Sequence, residues 1–169
     1  MRPTKLEYFL NMATLVSSRS TCKRRAVGCV LVDGNDYVIA TGYNGVGSGQ
    51  IHCISKPCAG ANYKTGEGLD KCEAIHAEQN AILQCRDVQK IKTAFITLSP
   101  CVTCAKLLLN TSCRTIIFDK EYINTDAERI WKNAGRNWIK SADAALGTKF
   151  SVDTTTDFTR LVLGKYLCD

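Results

Sequence analysis

Helical and strand-like segments alternate between residues 76 and 119, and this alternation leaves few architectures open to the chain. The pattern predicts a helix over residues 76–86, a strand over 93–98, a helix over 101–110 and a strand over 114–119. The two strands are apolar almost throughout, as central strands covered on both faces are. We therefore expect an α/β layer fold in which these strands are parallel and central.

The N-terminal part predicts a helix followed by a hairpin. Apolar residues recur at helical spacing over residues 4–18, so one face of this first helix should pack on the sheet. Two β-rich runs, 26–32 and 37–41, are separated by Asp33-Gly34-Asn35-Asp36. That turn composition favours an antiparallel pair of strands.

The C-terminal part predicts two more helices, over residues 126–134, ending at Gly135, and over residues 158–167. At 169 residues the chain can close one substantial core but is short for two. We therefore expect a single domain over residues 1–169. No apolar run approaches the length that spans a bilayer, and the N-terminus lacks a signal-peptide core. These features predict a soluble cytoplasmic protein with no membrane partner.

The net charge and the cysteine content limit which partners and which kinds of site we expect for this chain. The net charge of +6 suits an anionic partner, but the basic residues are scattered among acidic ones. The densest cluster, Lys23-Arg24-Arg25, is too short for a nucleic-acid tail and is either a phosphate contact or a solvated loop. Ten cysteines in an intracellular chain indicate metal binding rather than disulfides. Four of them lie in apolar or amphipathic contexts typical of packed free thiols: Cys29, Cys85, Cys113 and Cys168.

The motifs that carry chemistry are His76-Ala77-Glu78 at one predicted helix start and Pro100-Cys101-Val102-Thr103-Cys104 at the next. The spacing of Cys101 and Cys104 places both sulfurs on one side of a first helical turn, where the helix dipole favours thiolates. With His76 they form a nitrogen and two-sulfur ligand set that suits tetrahedral zinc and leaves one position open. An open position indicates catalysis, because a zinc-bound water has its pKa lowered to roughly 7.

Glu78 is too close in sequence to His76 to share the metal and is the predicted proton shuttle. The alternative is a structural zinc whose fourth ligand is not apparent in the sequence. The two motifs in this order match the signature of zinc nucleobase deaminases. In that chemistry the carboxylate moves protons from water to ring N3 and to the departing amine while C4 is attacked.

On these residues the chain resembles the cytidine deaminase superfamily, and within it the deoxycytidylate deaminases of bacteria and phages. The resemblance runs to about Gly135 and rests on five segments: CKRRAVG at 22–28, GYNG at 42–45, GEGLD at 66–70, HAEQNAI at 76–82 and TLSPC at 97–101. It implies a three-layer α/β/α fold with a five-stranded mixed sheet. It also implies zinc-dependent deamination of dCMP to dUMP for thymidylate synthesis, in bacterial or phage-infected cytoplasm, by a homo-oligomer, commonly a hexamer.

The resemblance also suggests substrate and effector residues. Asn44 is the candidate sugar contact, with a turn residue as its alternative, and Ala77 and Ser99 are further candidate substrate contacts. Tyr122 is either a base-stacking residue or a half-buried aromatic. The family is typically activated by dCTP and inhibited by dTTP, with Mg²⁺ accompanying the triphosphate. The predicted phosphate or effector residues are Lys23, Arg24, Arg25 and Tyr43.

A second, structural zinc is predicted in the long loop over residues 42–74, which carries seven of the chain's 12 glycines. Related phage enzymes carry such a zinc, and four thiols outside the catalytic motif would close its coordination shell. His52 is a competing ligand, and the alternative is that the thiols are free and buried. The four predicted ligands are Cys22, Cys53, Cys58 and Cys72.

Two rival functions remain at this point. The first is deamination of another substrate, namely cytidine, guanine or a base within a polynucleotide. A polynucleotide enzyme needs a basic channel interleaved with aromatic residues, which this sequence lacks, so we expect no nucleic-acid partner. The second rival is a zinc-stabilised nucleotide-binding regulator, against which Glu78 speaks because a sensor needs no proton shuttle.

Overall fold

The computed structural model describes residues 2–64, 66–122 and 125–145. Two single-turn 3-10 helices, Leu69–Lys71 and Val88–Lys90, join longer elements. In chain order those elements are α1 (Lys5–Ser17), β1 (Gly28–Val32), β2 (Val38–Tyr43), α2 (Ala77–Gln84), β3 (Thr93–Leu98), α3 (Val102–Leu109), β4 (Thr115–Lys120), α4 (Thr125–Asn133), β5 (Asn137–Lys140) and α5 (Ser141–Ala145).

The strands form one five-stranded mixed sheet in the order β2-β1-β3-β4-β5. The pairs β1–β2 and β1–β3 are antiparallel, whereas β3–β4 and β4–β5 are parallel. The antiparallel hairpin and the parallel pairing of β3 with β4 are therefore confirmed. Both β3 and β4 have a strand on each side, as their continuous apolar sequences predict.

Helices cover both faces of the sheet, because successive side chains of a strand point to opposite sides. On one face, Phe9 and Ala13 of α1 pack with Val30, Phe95 and Ile117. On the other face, helices α2, α3 and α4 pack on the strand residues that alternate with these. The residues of that second core include Leu31, Ala81, Ile96, Leu108, Ile116, Phe118 and Trp131. This arrangement confirms the α/β/α layers.

Local signals set the ends of the first elements. Thr4 caps α1 in a reciprocal capping box with Glu7, which explains why the helix begins one residue after the predicted start. In the hairpin turn, Asp33 Oδ1 accepts hydrogen bonds from the backbone N–H groups of Asn35 and Tyr37, at 2.8 and 3.0 Å. Asp36 adopts a positive φ of 67° in the same turn.

The sequence patterns missed β5 and α5. β5 has only four residues, with polar residues at both ends, so it carries no clear period of its own. Its apolar residue Trp138 packs against Phe118, with ring centroids 5.4 Å apart, and pairing with β4 determines its conformation. The predicted helix over 158–167 lies outside the described residues. None of the helices that the structure describes has the length and apolar character needed to cross a membrane.

Close packing fixes α2 against the sheet. Gly42, in β2, lies so near the backbone of Ala77 and Ala81 that a Cβ at position 42 would collide with it. Asn80 adds a hydrogen bond from its Nδ2 to the carbonyl oxygen of Tyr43, at 2.7 Å. The first turn of α2 is therefore held directly against the end of β2.

The C-terminal end of α3 is held by one arginine. Arg136 donates hydrogen bonds to the carbonyl oxygens of Leu108, Leu109, Thr111 and Cys113 at 3.2, 2.8, 3.4 and 2.7 Å. These contacts satisfy carbonyl groups at and just after the helix end. Anchoring α3 at its far end keeps its first turn in a defined position relative to α2.

Candidate active site

The two predicted ligand motifs meet at neighbouring helix starts. His76 is the N-cap residue of α2, and Cys101 is the N-cap residue of α3. Cys104 lies on the first turn of α3 and is fully buried, because that turn faces the sheet. The helix starts bring together side chains that are 25 and 28 residues apart in sequence.

The geometry of the three side chains fits a tetrahedral metal ion. His76 Nδ1 lies 3.5 Å from Cys101 Sγ and 3.4 Å from Cys104 Sγ. Zinc with ordinary Zn–N and Zn–S bond lengths would separate such a nitrogen and sulfur by about 3.6 Å. Among the described residues, these three form the one group of at least three candidate metal ligands whose ligand atoms all lie within 4.8 Å of one another. The donor set and its spacing therefore suit Zn²⁺.

The two thiols of this group are electrostatically unequal. A hydrogen bond from Cys104 lowers the pKa of Cys101 to about 4, with a further contribution from His76. The pKa of Cys104 is raised because its proton is engaged with Cys101 and because burial disfavours a charged sulfur. A divalent cation would replace the proton between the sulfurs, since metals bind thiolates.

Glu78 lies directly beside the ligands. Its side chain is only 4% exposed, and burial raises the pKa of its carboxyl group above the ordinary value. A hydrogen bond with Cys104 and the charge of His76 act in the opposite direction. Burial thus makes this carboxyl group hold a proton more readily than an exposed one does, which suits a proton shuttle.

Gln79 is a site residue that our sequence analysis did not identify. Its Oε1 accepts a hydrogen bond from the backbone N–H of His76 at 2.8 Å, which fixes the backbone of the metal-ligand candidate. The sequence signal was present, because a glutamine three residues after a helix N-cap is one half of a capping box.

A cavity of about 740 Å³ opens above the ligand group. All four predicted substrate contacts line it, namely Asn44, Ala77, Ser99 and Tyr122, and so do His76, Glu78 and Cys101. Tyr63, Leu69 and Val102 contribute an apolar part of the wall that we did not predict. Tyr63 and Leu69 come from the long glycine-rich segment, whose lack of periodicity gave no signal for them.

Asn44 is buried and its side chain already makes hydrogen bonds to the chain. Its Nδ2 donates to the carbonyl oxygen of Arg25 at 2.7 Å, and its Oδ1 accepts from the N–H of Val27 at 2.8 Å. The hydroxyl of Ser20 donates to the same Oδ1 at 2.8 Å. Asn44 therefore shapes the segment before β1 as well as lining the cavity.

Ser99 and Tyr122 form a second linked pair in the cavity wall. The hydroxyl oxygen of Ser99 accepts a hydrogen bond from the backbone N–H of Tyr122 at 2.7 Å. The guanidinium carbon of Arg25 lies 5.3 Å from the centroid of the Tyr122 ring, in cation–π contact. Tyr122 is half-buried, with its backbone bound by Ser99 and its ring in contact with Arg25.

The predicted phosphate residues have different surroundings. Lys23, Arg24 and Arg25 line the cavity. The side chain of Arg24 is bound to backbone carbonyl groups of Lys64 and Glu67. Tyr43 is not among the described residues that line the cavity, and its carbonyl group accepts the hydrogen bond from Asn80.

The four cysteines predicted to hold a second metal are only partly gathered. Cys53 Sγ and Cys58 Sγ lie 3.7 Å apart, close to the sulfur–sulfur separation of about 3.8 Å in a tetrahedral zinc site. A hydrogen bond from the Glu73 backbone lowers the pKa of Cys58, which favours the thiolate. Cys72 is close enough to Cys22 and Cys58 for their charges to raise its pKa, after the larger effect of burial.

Comparison with known proteins shows which family this chain belongs to. Residues 3–120 match the model of the cytidine and deoxycytidylate deaminase zinc-binding region. The deoxycytidylate deaminase of Mycobacterium phage D29 is 36% identical over 126 residues, which cover 71% of this chain and 98% of the phage protein. The deoxycytidylate deaminase of Saccharomyces cerevisiae is 37% identical over 138 residues, 80% of this chain but only 44% of the yeast protein.

The fold is also found in a related solved structure. The dCMP deaminase of cyanophage S-TIM5, in complex with dCMP and dUMP, superposes with a TM-score of 0.63 at 28% sequence identity. The match covers 83% of this chain and 98% of the cyanophage chain. The sequence match, the shared fold and the His-Cys-Cys group at two helix starts agree, and the chain belongs to the cytidine and deoxycytidylate deaminase family.

Proposed function

We propose that this protein is an enzyme that hydrolyses dCMP to dUMP and ammonia, supplying dUMP for thymidylate synthesis. The observation that carries the proposal is the placement of Glu78, buried against a three-membered ligand group that faces the cavity. The relatives from yeast and phage D29 are deoxycytidylate deaminases, and the cyanophage relative binds dCMP and dUMP. The small cavity suits a mononucleotide, and we propose no nucleic-acid partner.

The residues divide the chemistry between them. His76, Cys101 and Cys104 would hold a zinc ion, which would supply an activated water as the nucleophile for C4 of cytosine. Glu78 would take one proton from the attacking water and transfer it to N3 of the ring. It would then take the second proton from the hydroxyl group added at C4 and deliver it to the departing amino group, so that water and dCMP become dUMP and ammonia.

The cavity wall positions the nucleotide. We assign contacts with the sugar to Asn44 and with the base to Ala77 and Tyr122, and we propose that Ser99, the fourth predicted contact in the cavity wall, acts on the base through Tyr122. The apolar residue Val102 excludes water from the side of the base. Exclusion of water strengthens the electrostatic effect of the buried Glu78 on the reacting ring.

Regulation and assembly form a further part of the proposal and rest on family resemblance. We propose activation by dCTP and inhibition by dTTP, with Mg²⁺ bound to the triphosphate, in a homo-oligomer that is a hexamer by analogy with the family. The proposed phosphate region is the cluster Lys23, Arg24 and Arg25, in which the side chain of Arg24 is itself tied to backbone carbonyl groups. Tyr43 is the proposed link between the effector and active sites. We also propose that the protein is a single domain and lies in the cytoplasm. The nine cysteines among the described residues form no disulfide bond, which suits that reducing compartment.

We also propose a structural zinc held by Cys22, Cys53, Cys58 and Cys72. The spacing of Cys53 and Cys58 and the lowered pKa of Cys58 support it. The backbone N–H of Ile54 donates to the carbonyl oxygen of Thr21 at 3.1 Å, so the segments that carry Cys22 and Cys53 are already joined. A bound ion would gather the four sulfurs more closely and fix the long loop beside the cavity.

The test is ultraviolet monitoring of the purified zinc-loaded protein with dCMP, dCTP, deoxycytidine, cytidine, guanine and a single-stranded oligonucleotide, each alone and with added dCTP or dTTP. We expect ammonia release from dCMP, accelerated by dCTP and slowed by dTTP. A parallel reaction with the Glu78→Ala variant measures the background. Turnover of guanine or of a single-stranded oligonucleotide, with none of dCMP, would contradict the proposed substrate.

A further inference from the structure

The three consecutive cations at positions 23–25 do not have equivalent surroundings. Arg25 stacks on the Tyr122 ring, and Arg24 is tied to backbone carbonyl groups. Lys23 is exposed, lines the cavity and makes no ion pair or hydrogen bond with any residue that the structure describes. The basic cluster therefore contains residues with different tasks.

Arg24 binds a chain segment that is 40 residues away in sequence. Its Nη2 donates to the carbonyl oxygen of Lys64 at 2.7 Å and to that of Glu67 at 3.1 Å. Hydrogen bonds from a charged donor are among the stronger polar contacts in proteins, and this nitrogen has both of its hydrogens engaged. The guanidinium group thus holds the backbone on both sides of Gly66.

Gly66 lies in the cavity wall beside the hydroxyl group of Tyr122. It adopts a φ of +89°, and a Cβ built at this position would lie 3.9 Å from the Tyr122 hydroxyl oxygen. The backbone held by Arg24 therefore faces the same ring that Arg25 stacks on.

We infer that Arg24 is a positioning residue that holds the backbone of Lys64 and Glu67 and thereby places Gly66 in the cavity wall, and that Lys23 is the cation that contacts an anionic group of the substrate. The second half rests on the proposed function, because dCMP supplies the phosphate. The first half does not depend on any substrate. It assigns Arg24 a role different from direct phosphate binding.

Limited trypsin digestion tests the contact of Arg24 directly. Lys64 is exposed and is itself a trypsin site, so cleavage after it reports how well the segment is held. We expect Arg24→Met to accelerate the appearance of peptides ending at Lys64 by about tenfold, measured by mass spectrometry. Lys23→Met is the matched control and should leave this rate unchanged. Arg24→Lys should give an intermediate cleavage rate, because a single nitrogen of Arg24 makes both contacts. If circular dichroism shows Arg24→Met to be unfolded, Arg24→Lys is compared with Lys23→Met in its place.

Steady-state kinetics with dCMP test the division of tasks. Lys23→Met should raise KM about tenfold with kcat unchanged, since a phosphate contact is made equally in the ground and transition states. Arg24→Met should lower kcat as well, because the cavity wall is displaced. An Arg24→Met protein with a raised KM and wild-type cleavage at Lys64 would overturn the positioning role. An unchanged KM in Lys23→Met would overturn the phosphate contact. If the wild-type protein does not turn over dCMP at all, the proposed function is refuted. The trypsin digestion would still test the positioning role of Arg24 in that case, because it needs no substrate.

Discussion

The buried hydroxyl of Ser99 accepts a hydrogen bond from the backbone N–H of Tyr122 at 2.7 Å, and it joins the turn before Cys101 to the segment that follows β4. A serine that precedes the metal-ligand motif thereby positions an aromatic residue of the cavity wall. Its hydroxyl is engaged within the protein, so its effect on substrate binding should pass through Tyr122.

Replacement of Ser99 by alanine tests this relationship. Loss of the acceptor leaves the N–H of Tyr122 without its partner, at a cost of about 1–3 kcal/mol. We expect KM for dCMP to rise about tenfold in Ser99→Ala, with the zinc content unchanged. In a Tyr122→Ala background, Ser99→Ala should cause no further rise in KM for dCMP. A full additional loss in the double variant would show that Ser99 contacts the substrate directly, and Ser112→Ala serves as a remote control.

Replacement of Glu78 separates catalysis from metal binding. Because Glu78 lies beside the ligand group without belonging to it, Glu78→Gln and Glu78→Ala should retain zinc and lose about 10³-fold in kcat. Metal content is measured by elemental analysis and kcat by the dCMP assay. Asp70→Asn, an exposed charge change, should behave as wild type. A Glu78 variant with near-normal turnover would remove this residue from the mechanism.

Metal stoichiometry distinguishes the two proposed zinc sites. The wild-type protein should contain two zinc ions per chain. Cys104→Ser should lose one ion and all activity, whereas Cys58→Ser should lose one ion and retain partial activity at reduced thermal stability. Cys85→Ser is the matched thiol control and should keep both. A wild-type content of one ion, unchanged in Cys58→Ser, would refute the structural site.

Substitution of Gly42 tests the packing that holds the first turn of α2. An added Cβ meets the backbone of Ala77 and Ala81, so Gly42→Ala should destabilise the protein by roughly 1–3 kcal/mol. The corresponding fall in Tm is about 3–10 °C by differential scanning calorimetry. Gly47→Ala is the control, because nothing lies within 4 Å of a Cβ at that position. Equal Tm values for the two variants would contradict the close approach of α2 to β2.

Much of the architecture followed from periodicity. The strand over residues 93–98 was predicted at its observed boundaries, and the helices that follow His76 and Cys101 were found within two residues of their predicted limits. These elements carry their own signal, since their apolar residues face a core at regular intervals. β5 could not be predicted in this way, because its strand conformation comes from pairing with β4.

The sequence by itself determined the identity of the ligand group, since His76, Cys101 and Cys104 are recognisable by residue type and by position at helix starts. Only the tertiary structure decided what surrounds that group. Arg24 looked equivalent to Lys23 in sequence, yet its guanidinium is bound to a segment 40 residues away. Spacing along the chain reports contacts within one helix or strand. Contacts between distant segments depend on how the layers pack, so residue spacing in a single sequence does not reveal them.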